Sequence, residues 1–136
     1  MSASLYIVVE GEDPGFNIFV NGHALARNED ALERLAERLS VRPLLDYFSA
    51  DRNSMALLLE HGTGNPEWTE NLPQAQWFAP EDALRTVRAL LDFLAMSPVA
   101  LGSDTELVAR ELHEYEVVLA KTALHGLRWH LAVSWR

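Results

Sequence analysis

Cysteine is missing from this chain altogether. Disulfides, thiolate metal sites and a cysteine nucleophile are therefore excluded, and the composition suits a reducing compartment. Basic residues are scarce: 11 Lys and Arg against 20 Asp and Glu give a net charge of −9. A phosphate backbone would be repelled, so no nucleic-acid partner is expected. No apolar run approaches the length that spans a bilayer, so no membrane association is expected either. The opening Met1-Ser2-Ala3-Ser4 carries no basic segment of the kind that starts a signal peptide, and a cytoplasmic location is the expectation.

The motifs of common chemistries are lacking as well. Gly62-Thr63-Gly64 is too short for a phosphate loop and no lysine follows it, while 11–15 encloses two acids between its glycines. No cofactor is expected. No serine sits in a Gly-x-Ser-x-Gly elbow. The five histidines are His23, His61, His113, His125 and His130. His113-Glu114-Tyr115-Glu116-Val117 has the opening of a zinc-protease helix, but Val117 stands where the second histidine is required. His125 and His130 would need a third ligand from elsewhere, so no metal is expected. Carboxylates are plentiful, yet spacing selects no acid–base pair among them.

What is present begins with size. A chain of 136 residues fits one globular domain, 1–136. At this length it buries roughly two-thirds of its unfolded surface and needs no covalent staples. The strongest pattern is at 103–136. Ser103-Asp104-Thr105-Glu106 has the form of a capping box. Val108, Leu112, Tyr115, Leu119 and Thr122 then recur at helical spacing, with Leu107, Glu111 and Val118 beside them. Gly126 suits the left-handed residue that ends such a helix. Beyond it the period becomes two. Leu127, Trp129, Leu131, Val133 and Trp135 face one way. Arg128, His130, Ala132, Ser134 and Arg136 face the other, which predicts a strand with one buried and one wetter face.

At the other end, Leu5-Tyr6-Ile7-Val8-Val9-Glu10 reads as a strand. Phe16 to Val20 followed by Asn21-Gly22 allows a hairpin, or a glycine that simply ends one segment before a helix. Asn28 is a fitting N-cap for a helix carrying Leu32, Leu35, Ala36 and Leu39 inward. Its outer face, with Glu29, Asp30, Glu33, Arg34 and Glu37, reads as a solvated one. Pro43 breaks that pattern and starts Leu44-Leu45-Asp46-Tyr47-Phe48. Asp51 or Asn53 could cap a further short helix. Pro80-Glu81-Asp82 opens a helix with Leu84, Val87, Leu90, Leu91 and Leu94 inward and Pro98 after its end. Strands at the two ends with helices between predict an α+β fold: a small sheet including the N-terminal and C-terminal strands, packed against several helices.

The irregular stretch 63–79 holds Glu67-Trp68-Thr69-Glu70 and Gln76-Trp77-Phe78. Tryptophan beside acids fits an interface anchor, which singles out Glu67, Trp68, Glu70 and Trp77 as partner-binding residues. The blander reading is that Trp77 and Phe78 plug the start of the helix at Pro80. Arg128 and His130, side by side on the wetter face of the last strand, are the candidates for a small-ligand site.

The order of parts carries a resemblance. It consists of an N-terminal strand, the Pro43-Leu44-Leu45-Asp46-Tyr47-Phe48 segment, Gln76-Trp77-Phe78 before a helix, and a long helix closing on Gly126 and a final strand. It resembles small bacterial proteins described only as domains of unknown function. The resemblance implies a single α+β domain in a bacterial cytosol and carries over no catalytic residues. Two functions remain as expectations. One is a non-catalytic protein-interaction domain, immunity- or adaptor-like, using an acidic surface and the tryptophan-bearing loop. The other is a small enzyme or ligand-binding protein whose site is assembled from dispersed Glu, His and Arg residues.

Overall fold

A computed structural model describes residues 3–11, 13–49 and 76–135. Two strands, β1 (Ala3–Val9) and β2 (Trp129–Trp135), form an antiparallel sheet. Four α-helices are described with them: α1 (His23–Arg27), α2 (Glu29–Arg38), α3 (Pro80–Met96) and α4 (Thr105–Leu124). A 3₁₀ turn covers Leu44–Tyr47. The α+β layout read from the sequence is the observed one. The expected helix through Met55 to Leu59, with its cap at Asp51 or Asn53, lies outside the described residues.

In the sheet, Leu5 faces Val133, Ile7 faces Leu131 and Val9 faces Trp129. Successive strand residues alternate between faces, so these six side chains share one side. That side joins the inward faces of α2, α3 and α4 in one hydrophobic cluster. Of the apolar positions expected of α3, Leu84, Val87, Leu90 and Leu94 are buried and Leu91 is half-buried at the margin of the cluster; on α4, Val108, Leu112, Tyr115, Leu119 and Thr122 are all buried. Pro80 opens α3 as its first residue, where a missing N–H costs nothing.

The ends of the helices show where local rules held and where tertiary contacts replaced them. Gly126 closes α4 with φ +66°, and the Leu127 N–H reaches back to the Thr122 carbonyl at 3.1 Å. This is the 6→1 bond of a Schellman ending. Ser40 plays the same part after α2, with φ +57° and the Val41 N–H bonded to the Ala36 carbonyl at 3.0 Å. A serine Cβ is strained there, so Ser40→Gly should raise stability by about 0.5–1 kcal/mol, read as a higher urea midpoint at unchanged slope.

The capping box expected at Ser103 does not form. The helix proper starts at Thr105, after a 3₁₀ turn at Gly102–Asp104. Asp104 is occupied elsewhere: Asn28 Nδ2 donates to its Oδ2 at 2.9 Å and Arg27 Nε at 3.3 Å. Asn28 does precede α2, but its side chain makes no cap bond to that helix. Its amide instead joins the Ala24 carbonyl, at 2.8 Å, to Asp104. A long-range ion pair here outweighs two local caps.

The hairpin allowed by Asn21-Gly22 is also not formed; the glycine ends one segment before α1. Residues 16–28 run antiparallel along α4 and are fastened to it repeatedly. The Phe16 ring lies 4.8 Å from that of His125. Asn21 Nδ2 donates to Glu114 at 3.1 Å. The N–H groups of Ala24 and Leu25 donate to the buried Glu111 carboxylate at 3.1 and 2.9 Å. Glu111 therefore does for α1 what no N-cap side chain does, satisfying two amides that would otherwise be orphaned.

Candidate functional site

β2 is flanked on both edges. β1 pairs with one edge. On the other, the Ser49 N–H donates to the Leu131 carbonyl at 3.1 Å, and Phe78 and Trp129 exchange two backbone bonds at 2.8 and 3.0 Å. The strand is thus central rather than peripheral, and its second face is not wet as expected. His130 and Ala132 on that face are as buried as Trp129 and Leu131. His130 lies beneath Trp77, the rings stacked with centroids 4.5 Å apart. Its Nδ1 is 3.1 Å from the Gln76 carbonyl, which assigns the proton to Nδ1 in that contact. The Gln76 N–H donates to Ser49 Oγ at 2.8 Å, so one polar chain ties both edge segments to the strand.

Arg128, two residues away, is exposed at the end of the sheet and clasps Glu10 in a two-nitrogen ion pair. That pairing holds the Glu10 carboxyl below its ordinary pKa and raises the guanidinium above its own. The two sequence candidates for a ligand site are therefore in different surroundings, one paired at the surface and one covered by an aromatic ring. Trp77 is half-buried on His130, while Phe78 packs edge-on against Tyr47 with centroids 5.4 Å apart. Arg42 completes this corner, its guanidinium 4.8 Å from the Tyr47 ring and 5.3 Å from that of Phe78. Burial pushes the Tyr47 hydroxyl upward in pKa, with Arg42 opposing. Glu67, Trp68 and Glu70 lie outside the described residues.

The phenol of Tyr115 is pushed well above its usual range, first by burial and then by Glu111 and Glu114. It stays protonated and donates to the Leu5 carbonyl. Asp104 is held below the carboxylate range by Asn28 and then by Arg27. Asp104 and Glu10 thus both have depressed pKa values in the folded chain. Their contribution is fully present above the unfolded carboxylate value of about 4 and is lost as pH falls through the folded value. The urea midpoint should accordingly drop as pH goes below about 4, and Asp104→Asn should show a smaller drop than the parent chain. An equal acid slope in both would show that Asp104 carries none of it.

Among the described residues no group of three or more His, Asp or Glu side chains is placed to hold a metal ion. No described helix is long and apolar enough to cross a membrane. Among the described residues a shallow groove lies elsewhere, between α2 and the Leu44–Tyr47 turn. Its free space is about 20 Å³, little more than one water molecule needs. Leu25, Leu32 and Leu44 form its buried floor, Pro43 and Leu45 its half-buried wall, and the exposed Glu29 and Glu33 its rim. Sequence reasoning assigned those glutamates to an ordinary solvated face. The signal available was their spacing of four, which aligns Glu29, Glu33 and Glu37 in a single row. No protein-family model, curated protein or solved structure matches the chain.

Proposed function

We propose that this chain is a non-catalytic protein-interaction domain, immunity- or adaptor-like, that holds a basic partner through its acidic surface and the segment bearing Glu67, Trp68, Glu70 and Trp77. One observation carries the reading: five of the nine described basic residues are paired with carboxylates of the chain, against five of the fifteen described carboxylates paired with arginine. Arg27, Arg42, Arg88, Arg110 and Arg128 each sit against a carboxylate of the chain itself. Glu29, Asp30, Glu33, Glu37, Glu81 and Asp82 form no ion pair among the described residues. A net charge of −9 left outward in this way steers a cationic surface and repels an anionic one.

The polar groups that catalysis would call on are also committed to the fold. Glu111 holds two backbone amides and Arg128 holds Glu10. The test is capture of partners from a bacterial lysate at low and high salt. The comparison is a variant carrying Trp68→Ala, Glu67→Lys and Glu70→Lys. A partner retained at low salt, released at high salt and lost by the variant is expected. No partner at either salt, or one that the variant keeps unchanged, would remove the reading.

A further inference from the structure

We infer that residues 16–22 are a third strand held off the sheet, a strap poised to close on the free edge of β1 with Ile7 opposite Val20 and Val9 opposite Ile18. Four observations support it, and none depends on what the chain binds.

First, the free edge of β1 has backbone groups to offer. The Glu10 N–H donates to the Arg128 carbonyl at 2.9 Å. The even residues of β1 therefore bond to β2, and the odd ones turn their N–H and C=O to the other side. At Ala3 and Leu5 that side is served. The Ala3 carbonyl meets His23 Nδ1 at 3.3 Å, the Leu5 N–H donates to the Gly22 carbonyl at 3.1 Å, and the Leu5 carbonyl accepts from Tyr115. At Ile7 and Val9 neither the N–H nor the C=O has a partner among the described residues, although both residues are buried. Buried backbone groups are paired in nearly all folded chains, and each one left unmet is costly.

Second, the strap carries the matching groups. The bond from Leu5 to Gly22 sets the register. Stepping two residues along each segment in opposite directions places Val20 beside Ile7 and Ile18 beside Val9. The N–H and C=O of Ile18 and Val20 also have no partner among the described residues. Of the N–H groups that alternate with these, that of Phe19 donates to Asn17 Oδ1 at 2.9 Å and that of Asn21 to Glu114 at 3.4 Å. The unserved groups are the ones that would face β1.

Third, the side chains fit that register. Residues opposite one another in an antiparallel pair share a face. Leu5, Ile7 and Val9 belong to the hydrophobic cluster, and so does Val20, with Ile18 half-buried against it. On the outer face Phe19 would lie opposite Val8. Phe19 is 70% exposed as the strap stands, and that pairing would cover it.

Fourth, the chain between is built to turn. Gly11 and Gly15 have φ +103° and +82°, which glycine adopts without a Cβ penalty. A third strand also adds what the sheet needs, since a two-stranded ribbon is marginal by itself.

The strap is held open by its attachment to α4. The Phe16 ring lies 4.8 Å from that of His125, and Asn21 is bonded to Glu114 through both its N–H and its Nδ2. Closure exchanges these side-chain contacts for a backbone ladder.

The test uses the whole chain, labelled with ¹⁵N and ¹³C, beside a variant carrying Glu114→Ala with His125→Ala. In the proposed ladder the α-protons of Val8 and Phe19 face each other across a close, non-hydrogen-bonded pair, so a nuclear Overhauser contact between them is its signature. The variant should strengthen that contact and slow amide exchange at Ile7, Val9, Ile18 and Val20 by about tenfold. Exchange at Leu90 and Leu112, inside the helices, should not slow. Asn21→Ala removes one attachment without altering α4, and it should move both readouts the same way by a smaller amount. No Val8–Phe19 contact in any of the three proteins would overturn the inference. Slower exchange without the contact would do the same, because burial alone then protects those amides. A contact equally strong in parent and variants would show that α4 holds nothing open, and would overturn it as well.

Discussion

Gly22→Ala should destabilise the domain by about 3 kcal/mol, the upper end of what one added methyl group costs in a tight site. A Cβ built on Gly22 would stand 1.8 Å from the Leu5 carbonyl oxygen and 2.7 Å from the Leu5 carbonyl carbon and nitrogen. Those are backbone atoms of β1 and cannot rotate away. The conformation is not the reason for the glycine, since φ there is −142°, which any residue adopts. The reason is proximity, and the surrounding bonds keep it. The Leu5 N–H donates to the Gly22 carbonyl at 3.1 Å, and the Leu5 carbonyl accepts from Tyr115. Parting the two backbones would pull on β1, α1 and α4 together. Gly126→Ala is the useful comparison. Its Cβ meets nothing within 4 Å, but φ is +66°, so the cost is the left-handed strain alone, about 1 kcal/mol. Urea unfolding followed by circular dichroism separates the two. A Gly22→Ala midpoint as high as that of Gly126→Ala would mean that α1 does not sit against the strand.

The second large effect is at Trp129. Its side chain is fully buried at the meeting of the sheet with the aromatic corner, its ring 5.4 Å from that of Tyr47. Truncation to alanine leaves a cavity bounded by residues that are themselves fixed, so Trp129→Ala should cost about 3–5 kcal/mol. Trp129→Phe should keep more than half of that. The indole N–H has no hydrogen-bond partner among the described residues, so a phenyl ring gives up volume and no polar contact. Paired unfolding curves test this. Equal losses for the two variants would place the value of the residue in its N–H rather than in its bulk.

Much of the frame was legible because local pattern and tertiary demand agree there. β1, α3, α4 and the Gly126 ending each carry a period, a start signal or a stop signal that the surrounding fold has no reason to oppose. The failures share one cause, which is that a distant partner claims a group for which local rules offered another use. Ser103 and Glu106 have the spacing of a capping box, but the turn before α4 is set by Asn28 and Arg27 reaching across to Asp104. Asn21-Gly22 has the composition of a hairpin turn, but Gly22 is spent on closeness to Leu5.

The alternation of β2 was read correctly and its meaning was not. Polar residues at every second position look solvated only if the strand is peripheral. His130 is instead covered by Trp77, because segments before α3 pair with the free edge. Glu111 gave a hint in its place beside the apolar stripe of α4, where a carboxylate must find donors. The groove gave less, since a row of glutamates reads the same whether it borders water or leucine.

The sheet joins residues from the first ten positions to residues from the last ten: Ala3 lies opposite Trp135 and Val9 opposite Trp129. Every pair in that ladder spans most of the polypeptide, so its contact order is high. The antiparallel helices α3 and α4 can meet early, through neighbours close along the chain. The strands cannot reward each other until the loop between them has been closed, at an entropic cost that local structure does nothing to offset. Refolding should therefore be slower than helix content alone would indicate.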